Sequence, residues 1–494
     1  MLPQPLLAIK LLSENLLLLA SLLVFAAVLV TKVGSKLGTP TLLLFLLLGM
    51  IAGEDVLGVE FNNYEMAESI GHFAMTIILF SAGLETSLKE TKPVFKQGAM
   101  LSSVGVMLTV LFTGTFIYLL FGNAGKLPAL ACYLLAAVMG STDSAAVFSV
   151  LRNKKMHLRE NLGPLLELES GSNDPMAYML TIILVKLLMS NELPVHGGWS
   201  AVGLGILILL LQVAVGVVVG FAVGYAAKWL LEKVELSGFA LTSILILSVG
   251  FLTNGLASLL HGNGLLALYI AAIIIGNKAR LSQKKEILHF FDGLTWLMQL
   301  VMFLILGLLA RPSQMGPVLL PALLVGLFLM LVARPASVML SLLPFKGLSF
   351  RAKTFISWVG LKGAGPILFA LCPVVAGMER STEMFNMVFL ITLFSLLVQG
   401  GTLGWMARLL RLSYDEDPKV ETFGIEIPEE MGMLRDHTVT EDDLARGETL
   451  RDLSLPHGIR VMMVRRGDRF LVPHGSMPLE VGDRLVIILG DTDD

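Results

Sequence analysis

Apolar stretches of about 20 residues recur along the chain from Leu11 to Leu412. Each is long enough to cross a hydrocarbon layer of about 30 Å as an α-helix. Charged residues make up only 15% of the chain, against about 25% in ordinary soluble domains, and they concentrate after Leu412. The sequence therefore predicts a large all-α polytopic membrane domain over residues 1–412, followed by a small soluble domain.

Hydropathy divides the membrane domain into about thirteen predicted spans. Their approximate limits are 12–31, 39–53, 67–85, 98–121, 128–151, 160–189, 199–231, 236–260, 263–277, 290–310, 315–343, 354–376 and 384–412. Loops after odd-numbered spans hold 20 basic residues, and the opposite loops hold 5. Because basic loops stay in the cytoplasm, this bias predicts an N-terminus outside and a C-terminal domain in the cytoplasm.

Several classes of function find no support in the sequence. The net charge is -3 and no basic stripe is present, so we expect no nucleic-acid partner. Cys132 and Cys372 lie in apolar spans without disulfide or metal-ligand spacing, which predicts two buried, apolar side chains. His72 and His261 are expected at the membrane interface. We find no nucleotide motif or nucleophile–base spacing, so the chain is not predicted to be an enzyme.

Two distant segments resemble each other. Residues 38–53 match residues 261–276, and residues 80–84 match residues 304–308. Because the two units lie seven spans apart, they face opposite ways across the membrane. Two inverted six-helix repeats with broken crossing helices are typical of secondary transporters, and chance similarity between glycine-rich spans is the alternative.

Two spans carry carboxylates among residues that weaken a helix: the fifth has GSTDS at 140–144 and the sixth has ELESGSNDP at 167–175. Ser170 and Asp174 share one face of the sixth span, and Glu169 and Asn173 share the adjacent face. An ionisable group at the bilayer centre costs at least about 2.5–3.5 kcal/mol, so these residues are candidates for function. Their oxygens suit a hard cation. The alternatives are a polar kink in the fifth span and a solvated loop end in the sixth.

Two basic residues also fall within apolar sequence. Arg334 ends the eleventh span and cannot lose its proton, so at depth it needs a carboxylate partner. Lys362 lies among helix breakers in the twelfth span and matches Asp143 in the repeat to within a few residues. A positive charge there could balance the carbonyl ends of half-helices. The alternative for both is a side chain that reaches the interface.

These elements in this order resemble the cation/proton antiporter superfamily, specifically its NhaP-type sodium or potassium/proton exchangers. The resemblance covers roughly residues 12–412, and its most specific parts are Thr142-Asp143, Glu169-Ser170 with Asn173-Asp174-Pro175, Arg334, and Gly360-Leu361-Lys362-Gly363. It implies a homodimer in the cytoplasmic (inner) membrane, with a scaffold domain and a moving core domain. It also implies alternating access, a role in cation and pH homeostasis, and no cofactor.

The resemblance implies a role for each site residue. Asp174 would hold the proton and the cation in turn, and Asp143, Ser170 and Thr142 would complete the site of the monovalent cation. Glu169 would pair with Arg334, and Lys362, where many relatives have Arg, would balance charge at the helix crossing. Asn173 stands where electrogenic relatives carry a second Asp. With one carboxylate that is neutralised by either ion, we expect electroneutral one-for-one exchange.

The C-terminal region has a different pattern. After a linker at residues 413–421, alternating segments at Thr422–Ile427, Arg460–Arg465, Arg469–Val472 and Arg484–Leu489, with a weak helix over Glu441–Ala445, predict a small α+β domain at 422–494. The strings LRDL at 450–453, PHGS at 473–476 and LEVGDRL at 479–485 resemble the RCK-C or TrkA-C regulatory module. No Gly-rich loop follows a strand, so NAD binding is not predicted. A small regulatory ligand, tail dimerisation and a passive tail remain open.

A cation channel gated by the tail is the alternative to an antiporter, although no filter-like loop is evident. A membrane enzyme or sensor is a third class. The tail favours K⁺ as the transported ion, and the site would also suit Na⁺.

Overall fold

The structure is a computed structural model. It describes residues 16–37, 41–122, 127–153, 156–189, 199–234, 238–281, 283–345, 347–415, 434–444, 449–452, 459–466 and 469–489. The chain divides into two compact units, Met1–Tyr414 and Asp415–Asp494.

The first unit is built of apolar helices. In chain order they are α1 (Leu16–Leu37), α2 (Thr41–Ala52), α3 (Tyr64–Glu85), α4 (Leu88–Gly122), α5 (Ala129–Val138), α6 (Ser144–Asn153), α7 (Leu162–Met189), α8 (Trp199–Lys233), α9 (Phe239–Leu259), α10 (Gly264–Lys278), α11 (Lys284–Leu308), α12 (Pro312–Ser341), α13 (Phe350–Trp358), α14 (Ala364–Val375) and α15 (Ser381–Leu409). Two short strands, β1 (Met156–Leu158) and β2 (Ser413–Asp415), pair with each other.

Seven helices in the described ranges are long and apolar enough to cross a membrane, namely α3, α4, α8, α9, α11, α12 and α15. Five shorter apolar helices accompany them, namely α1, α2, α5, α10 and α14. The predicted multi-pass, mostly helical architecture is therefore present. The count of thirteen spans stays a prediction.

Side-chain caps fix where several helices begin. The side chain of Asn63 accepts a hydrogen bond from the backbone of Met66 at the start of α3, and Asn263 caps α10 in the same way. Helix α4 begins ten residues before the span predicted at 98–121, because Ser87 caps it. Its basic first turns, predicted as a loop, are therefore helical.

Two interruptions divide the spans predicted at 128–151 and 354–376. Helices α5 and α6 are separated by residues 139–143, and α13 and α14 by residues 359–363. Non-helical backbone inside a membrane domain is tolerated where protein or a water-filled cavity surrounds it. Residues 359–363 are indeed buried.

The contact between α2 and α11 has a counterpart between α3 and α10. A Cβ atom at Gly53 would lie 3.2 Å from the carbonyl oxygen of Leu308, and a Cβ atom at Gly276 would lie 2.2 Å from that of Leu84. In the predicted repeat, Gly53 is matched with Gly276, and Leu84 is matched with Leu308. The same close approach therefore occurs at equivalent positions.

The second unit contains β3 (Leu434–Thr438), α16 (Glu441–Leu444), β4 (Ile459–Arg466), β5 (Arg469–Leu471) and β6 (Arg484–Leu489). The strands form one antiparallel sheet in the order β3-β6-β4-β5. Val464 and Leu485, which are paired across β4 and β6, lie at its buried centre. A turn at Gly482, with φ of +93°, leads into β6. The segment predicted at Thr422–Ile427 lies outside the described residues.

Candidate ion-binding site

The two interrupted spans meet at Asp143. Its backbone N–H donates a 2.8 Å hydrogen bond to the carbonyl oxygen of Leu361, so the two non-helical segments contact each other directly. Its carboxylate accepts a 3.0 Å hydrogen bond from the N–H of Ala146 and thereby caps α6. Asp143 is thus held at the crossing point by backbone groups on both sides.

Helix α7 supplies the second side of the site. The hydroxyl of Ser170 donates to the carbonyl oxygen of Thr142 at 2.7 Å and accepts from the N–H of Ser144 at 3.0 Å. Asn173 forms two hydrogen bonds with Thr142, one to the backbone and one to the side chain. The interruption between α5 and α6 therefore depends on α7 for hydrogen bonds that a continuous helix would have made internally.

Asp174 lies next to the same interruption. One oxygen of its carboxylate accepts a hydrogen bond from the hydroxyl of Ser141. The predicted cation ligands Asp143, Asp174, Ser170 and Thr142 are thus brought together by the contacts between α7 and residues 141–144.

Lys362 lies in the second interruption and is only 2% exposed. Its ammonium group donates to the carbonyl oxygen of Ser141 at 2.9 Å. Its backbone N–H donates to the hydroxyl of Ser395 at 3.0 Å. The buried amino group of Lys362 therefore lies against the carbonyl side of the first interruption.

Glu169 and Arg334 form a salt bridge between α7 and α12. Their side chains are only 2% and 5% exposed, so the pair is fully enclosed by protein. Arg334 lies beside Gly360, where a Cβ atom would come 2.9 Å from its Nε atom. Within the described residues the Nε atom has no hydrogen-bond partner. The pair links the helix of Asp174 to α12 beside the second interruption.

A cavity of about 1190 Å³ reaches the site. Asp143, Asp174, Ser170 and Thr142 all line it. Glu169, Asn173 and Lys362 are buried, with exposures of 1%, 0% and 2%. The predicted set therefore divides into four oxygen-bearing residues that line the cavity and three buried residues that are not part of its lining.

Glycines allow the close approach of the surrounding backbone. A Cβ atom at Gly363 would lie 2.0 Å from the Oδ2 atom of Asp143. A Cβ atom at Gly171 would lie 2.5 Å from the ring of Tyr269 on α10. Neither neighbour can yield without moving the carboxylate or the helix, so both positions require glycine.

Several residues of this region are not predicted from the sequence. Ser141 bonds Asp174, and its signal was its place in the GSTDS string. Ser395 supports Lys362 from α15, which no local pattern could reveal. Glu85, Glu167 and Asp292 also line the cavity. Acidic groups along a cleft raise the local concentration of cations.

Comparison with known families gives two matches. Residues 21–409 match the family described as "Sodium/hydrogen exchanger, transmembrane". Residues 434–493 match the TrkA-C domain. The first match contains both interruptions and every residue of the site.

Among individual proteins, the K(+)/H(+) antiporter NhaP2 of Shewanella sp. (strain MR-4) is 38% identical over 95% of this chain and 80% of its own length. The K(+)/H(+) antiporter NhaP of Alkalimonas amylolytica is 38% identical over 93% of this chain and 75% of its own. The solved structure of the sodium proton antiporter MjNhaP1 from Methanocaldococcus jannaschii has a TM-score of 0.68 at 22% identity and covers 81% of this chain and 99% of its own. That likeness concerns the fold.

Proposed function

Because the chain belongs to the sodium/hydrogen exchanger family and carries a TrkA-C domain, we propose that it exchanges K⁺ for protons by alternating access at Asp174. Exchange of a cation for protons across a membrane is the activity in the names of its relatives. The observation that carries the proposal is the meeting of two carboxylates and two hydroxyl residues at the wall of one cavity, where two spans are interrupted.

Asp174 is the group that changes partner. When ionised, its carboxylate joins Asp143, Ser170 and the oxygens of Thr142 in holding a dehydrated alkali cation. When protonated, it no longer attracts the cation, because its charge is gone. The two ions therefore compete for the two carboxylate oxygens of Asp174. The occupied site has the same net charge whether it carries a cation one way or a proton the other way.

Asn173 supports a one-for-one stoichiometry. Its amide is occupied by two hydrogen bonds to Thr142 and cannot titrate. Lys362 balances the carbonyl side of the crossing throughout the cycle. The exchange is then electroneutral. Proteoliposomes with the same cation concentration on both sides should therefore give no net current when the pH outside is stepped.

The names of the relatives bear on the identity of the cation. The two relatives described above are named as K⁺/H⁺ antiporters, and a further one, NhaH of Halobacillus aidingensis, is named as an Na⁺/H⁺ antiporter at 27% identity. We favour K⁺ and keep Na⁺ as the second candidate. The same names favour exchange over a tail-gated channel.

The matched contacts of Gly53 with Leu308 and of Gly276 with Leu84 support two inverted six-helix repeats. Repeats of this kind build a fold that can present one site to either side of the membrane. We place the N-terminus outside and the C-terminal domain in the cytoplasm on the charge bias of the loops. The cavity, which reaches residues near Lys89 and Tyr414, then opens to the cytoplasm.

The remaining parts of the proposal concern organisation. We propose a membrane domain at 1–412, a linker at 413–421 and a regulatory domain at 422–494. We further propose that the protein is a homodimer in the inner membrane and contributes to cation and pH homeostasis. A small ligand of the TrkA-C domain would regulate exchange.

The test is fluorescence dequenching of a pH dye in proteoliposomes of the full chain, with K⁺, Na⁺, Rb⁺, Li⁺ and NH₄⁺ added in turn. The wild type should dissipate the pH gradient most readily with K⁺. Asp174→Ala should abolish the response to every cation. Asp55→Asn is the control, because Asp55 lies in an exposed loop where it accepts a hydrogen bond from the N–H of Ser313. Cation-driven proton flux that persists in Asp174→Ala would refute the proposal.

A further inference from the structure

Three side chains of metal-ligating type meet at the end of the membrane unit opposite to the cavity mouth. Glu68 and His72 are one turn apart on α3, and Cys372 lies on α14. Their ligand atoms all lie within 4.8 Å of one another, close enough that the three side chains could hold a metal ion. From the sequence alone, Cys372 is expected to be a buried, apolar side chain and His72 to lie at the interface. About 300 residues separate the two in the chain, so no local spacing links them.

The chemistry of the three groups suits a borderline-soft ion. Thiolate, imidazole and carboxylate together are a ligand set that Zn²⁺ prefers, whereas alkali ions and Mg²⁺ prefer oxygen alone. Tetrahedral bonds of about 2.1 Å place ligand atoms about 3.4 Å apart, so the three side chains need to close by about an ångström. The Sγ atom of Cys372 and the Glu68 carboxylate already lie within 4.8 Å of each other. Binding would release the thiol proton to water.

The surroundings hold the group in shape and leave it reachable. The ring of Tyr178 packs edge-on against His72, with centroids 4.8 Å apart. Glu68 and His72 are partly exposed, whereas Cys372 is 4% exposed. An ion can therefore approach from the Glu68 side and reach the thiol last.

The group of Glu68, His72 and Cys372 is separate from the transport site but lies near it. Glu68 precedes the cavity residue Glu85 by about 25 Å of helix. Tyr178 is one turn beyond Asp174 on α7, or about 6 Å along the axis, and it also packs on Phe369 of α14. These aromatic contacts thus place the three ligands beside Tyr178, one turn beyond Asp174.

The two helices that carry the ligands are far apart in the chain and contact each other. Helix α3 packs against α10 and α11, whereas α14 follows the interruption that holds Lys362. A Cβ atom at Gly71 would lie 2.2 Å from Leu368, so α3 and α14 approach as closely as a glycine permits. If the site alternates its access, opening this end requires these two surfaces to separate.

We propose that Glu68, His72 and Cys372 form a Zn²⁺ site that, when occupied, ties α3 to α14 and keeps this end of the transporter shut. The locking effect rests on the proposed function, and the binding of the ion does not. Zinc is an inhibitor in this scheme, because it stabilises the state in which Asp174 faces the cavity.

The first experiment measures bound zinc. Untagged full-length protein in the Cys132→Ser background, where Cys372 is the remaining thiol, is dialysed against micromolar Zn²⁺ and analysed for metal per chain. We expect about one zinc per chain, and we expect the Cys372→Ser and His72→Gln variants to lose it. Cys132→Ser alone should bind as the wild type does, because Cys132 is fully buried in α5. Equal zinc content in all variants would overturn the site.

The second experiment measures exchange in proteoliposomes with and without Zn²⁺. Zinc should slow exchange at least tenfold, EDTA should restore it, and His72→Gln should exchange normally but resist zinc. Equal inhibition of His72→Gln and the wild type would overturn the lock. If the wild type shows no cation/proton exchange at all, the proposed function fails, while the zinc content still decides the site.

Discussion

The buried pair of Glu169 and Arg334 allows a quantitative test of how the site is held. Replacing Glu169 with Gln keeps the shape of the side chain and removes its charge. The guanidinium of Arg334, which is 5% exposed, would then be buried without a counter-ion. Arginine stays protonated at any accessible pH, so it cannot escape this penalty by losing its proton.

The size of the effect follows from the enclosure of the pair. Removing one partner of a buried salt bridge destabilises a protein by about 3–5 kcal/mol, which is about 10²- to 10⁴-fold in the unfolding equilibrium. Replacing both partners by apolar residues is often neutral. We therefore expect Glu169→Gln to destabilise strongly, and Glu169→Leu combined with Arg334→Met to recover most of the loss.

The assay is unfolding of the full chain by denaturant in detergent, followed by tryptophan fluorescence. Glu232→Gln is the matched control, because Glu232 and Lys228 form a salt bridge with side chains 29% and 32% exposed. The control should change the free energy of unfolding by less than about 1 kcal/mol. The reasoning is refuted if Glu169→Gln behaves like the control, or if the double replacement is as damaging as the two single ones together.

Two further predictions concern packing and pH. Gly171→Ala should destabilise the protein by about 1–3 kcal/mol and impair exchange, because its Cβ atom would lie 2.5 Å from Tyr269. The control is Gly255→Ala, which should be tolerated because its Cβ atom meets nothing within 4 Å. Thermal unfolding in detergent compares the two variants. In the tail, burial acts to raise the pKa of Asp483. Its hydrogen bonds with Arg466 and with the N–H of Glu480, together with the charge of Arg466, outweigh burial and hold that pKa below its usual range. The resulting stabilisation is present above about pH 4 and is lost as the pH falls through the lowered pKa. The protection factors of residues 484–489 in the full chain, which divide out the pH dependence of the intrinsic hydrogen-exchange rate, should therefore fall on acidification. Asp483→Asn should lack this dependence.

Much of the fold could be predicted because the membrane makes sequence patterns explicit. Apolar length indicates where helices can cross, and the helices found between Leu16 and Leu409 lie close to the predicted spans. The start of α4 was misplaced because its first turns carry three lysines, which hydropathy reads as loop although Ser87 caps a helix there. In the tail, strand β6 at Arg484–Leu489 agrees with its alternating pattern.

The candidate site was predictable only where charge or a helix breaker stands out from apolar sequence. Asp143, Asp174 and Lys362 are visible for that reason. Ser395 and the group of Glu68 and Cys372 are not, because an ordinary polar residue in a span gains meaning only from distant neighbours. Sequence position alone cannot tell which helices of a bundle touch.

The pH dependence of cation affinity tests whether one carboxylate serves both ions. In proteoliposomes of the full chain, the apparent KM for the driving cation is measured between about pH 6 and pH 9. Direct competition at Asp174 predicts a KM that rises up to about tenfold for each unit by which the pH falls, while the maximal rate stays constant. A constant KM with a maximal rate that falls on acidification would instead mean that protons act elsewhere.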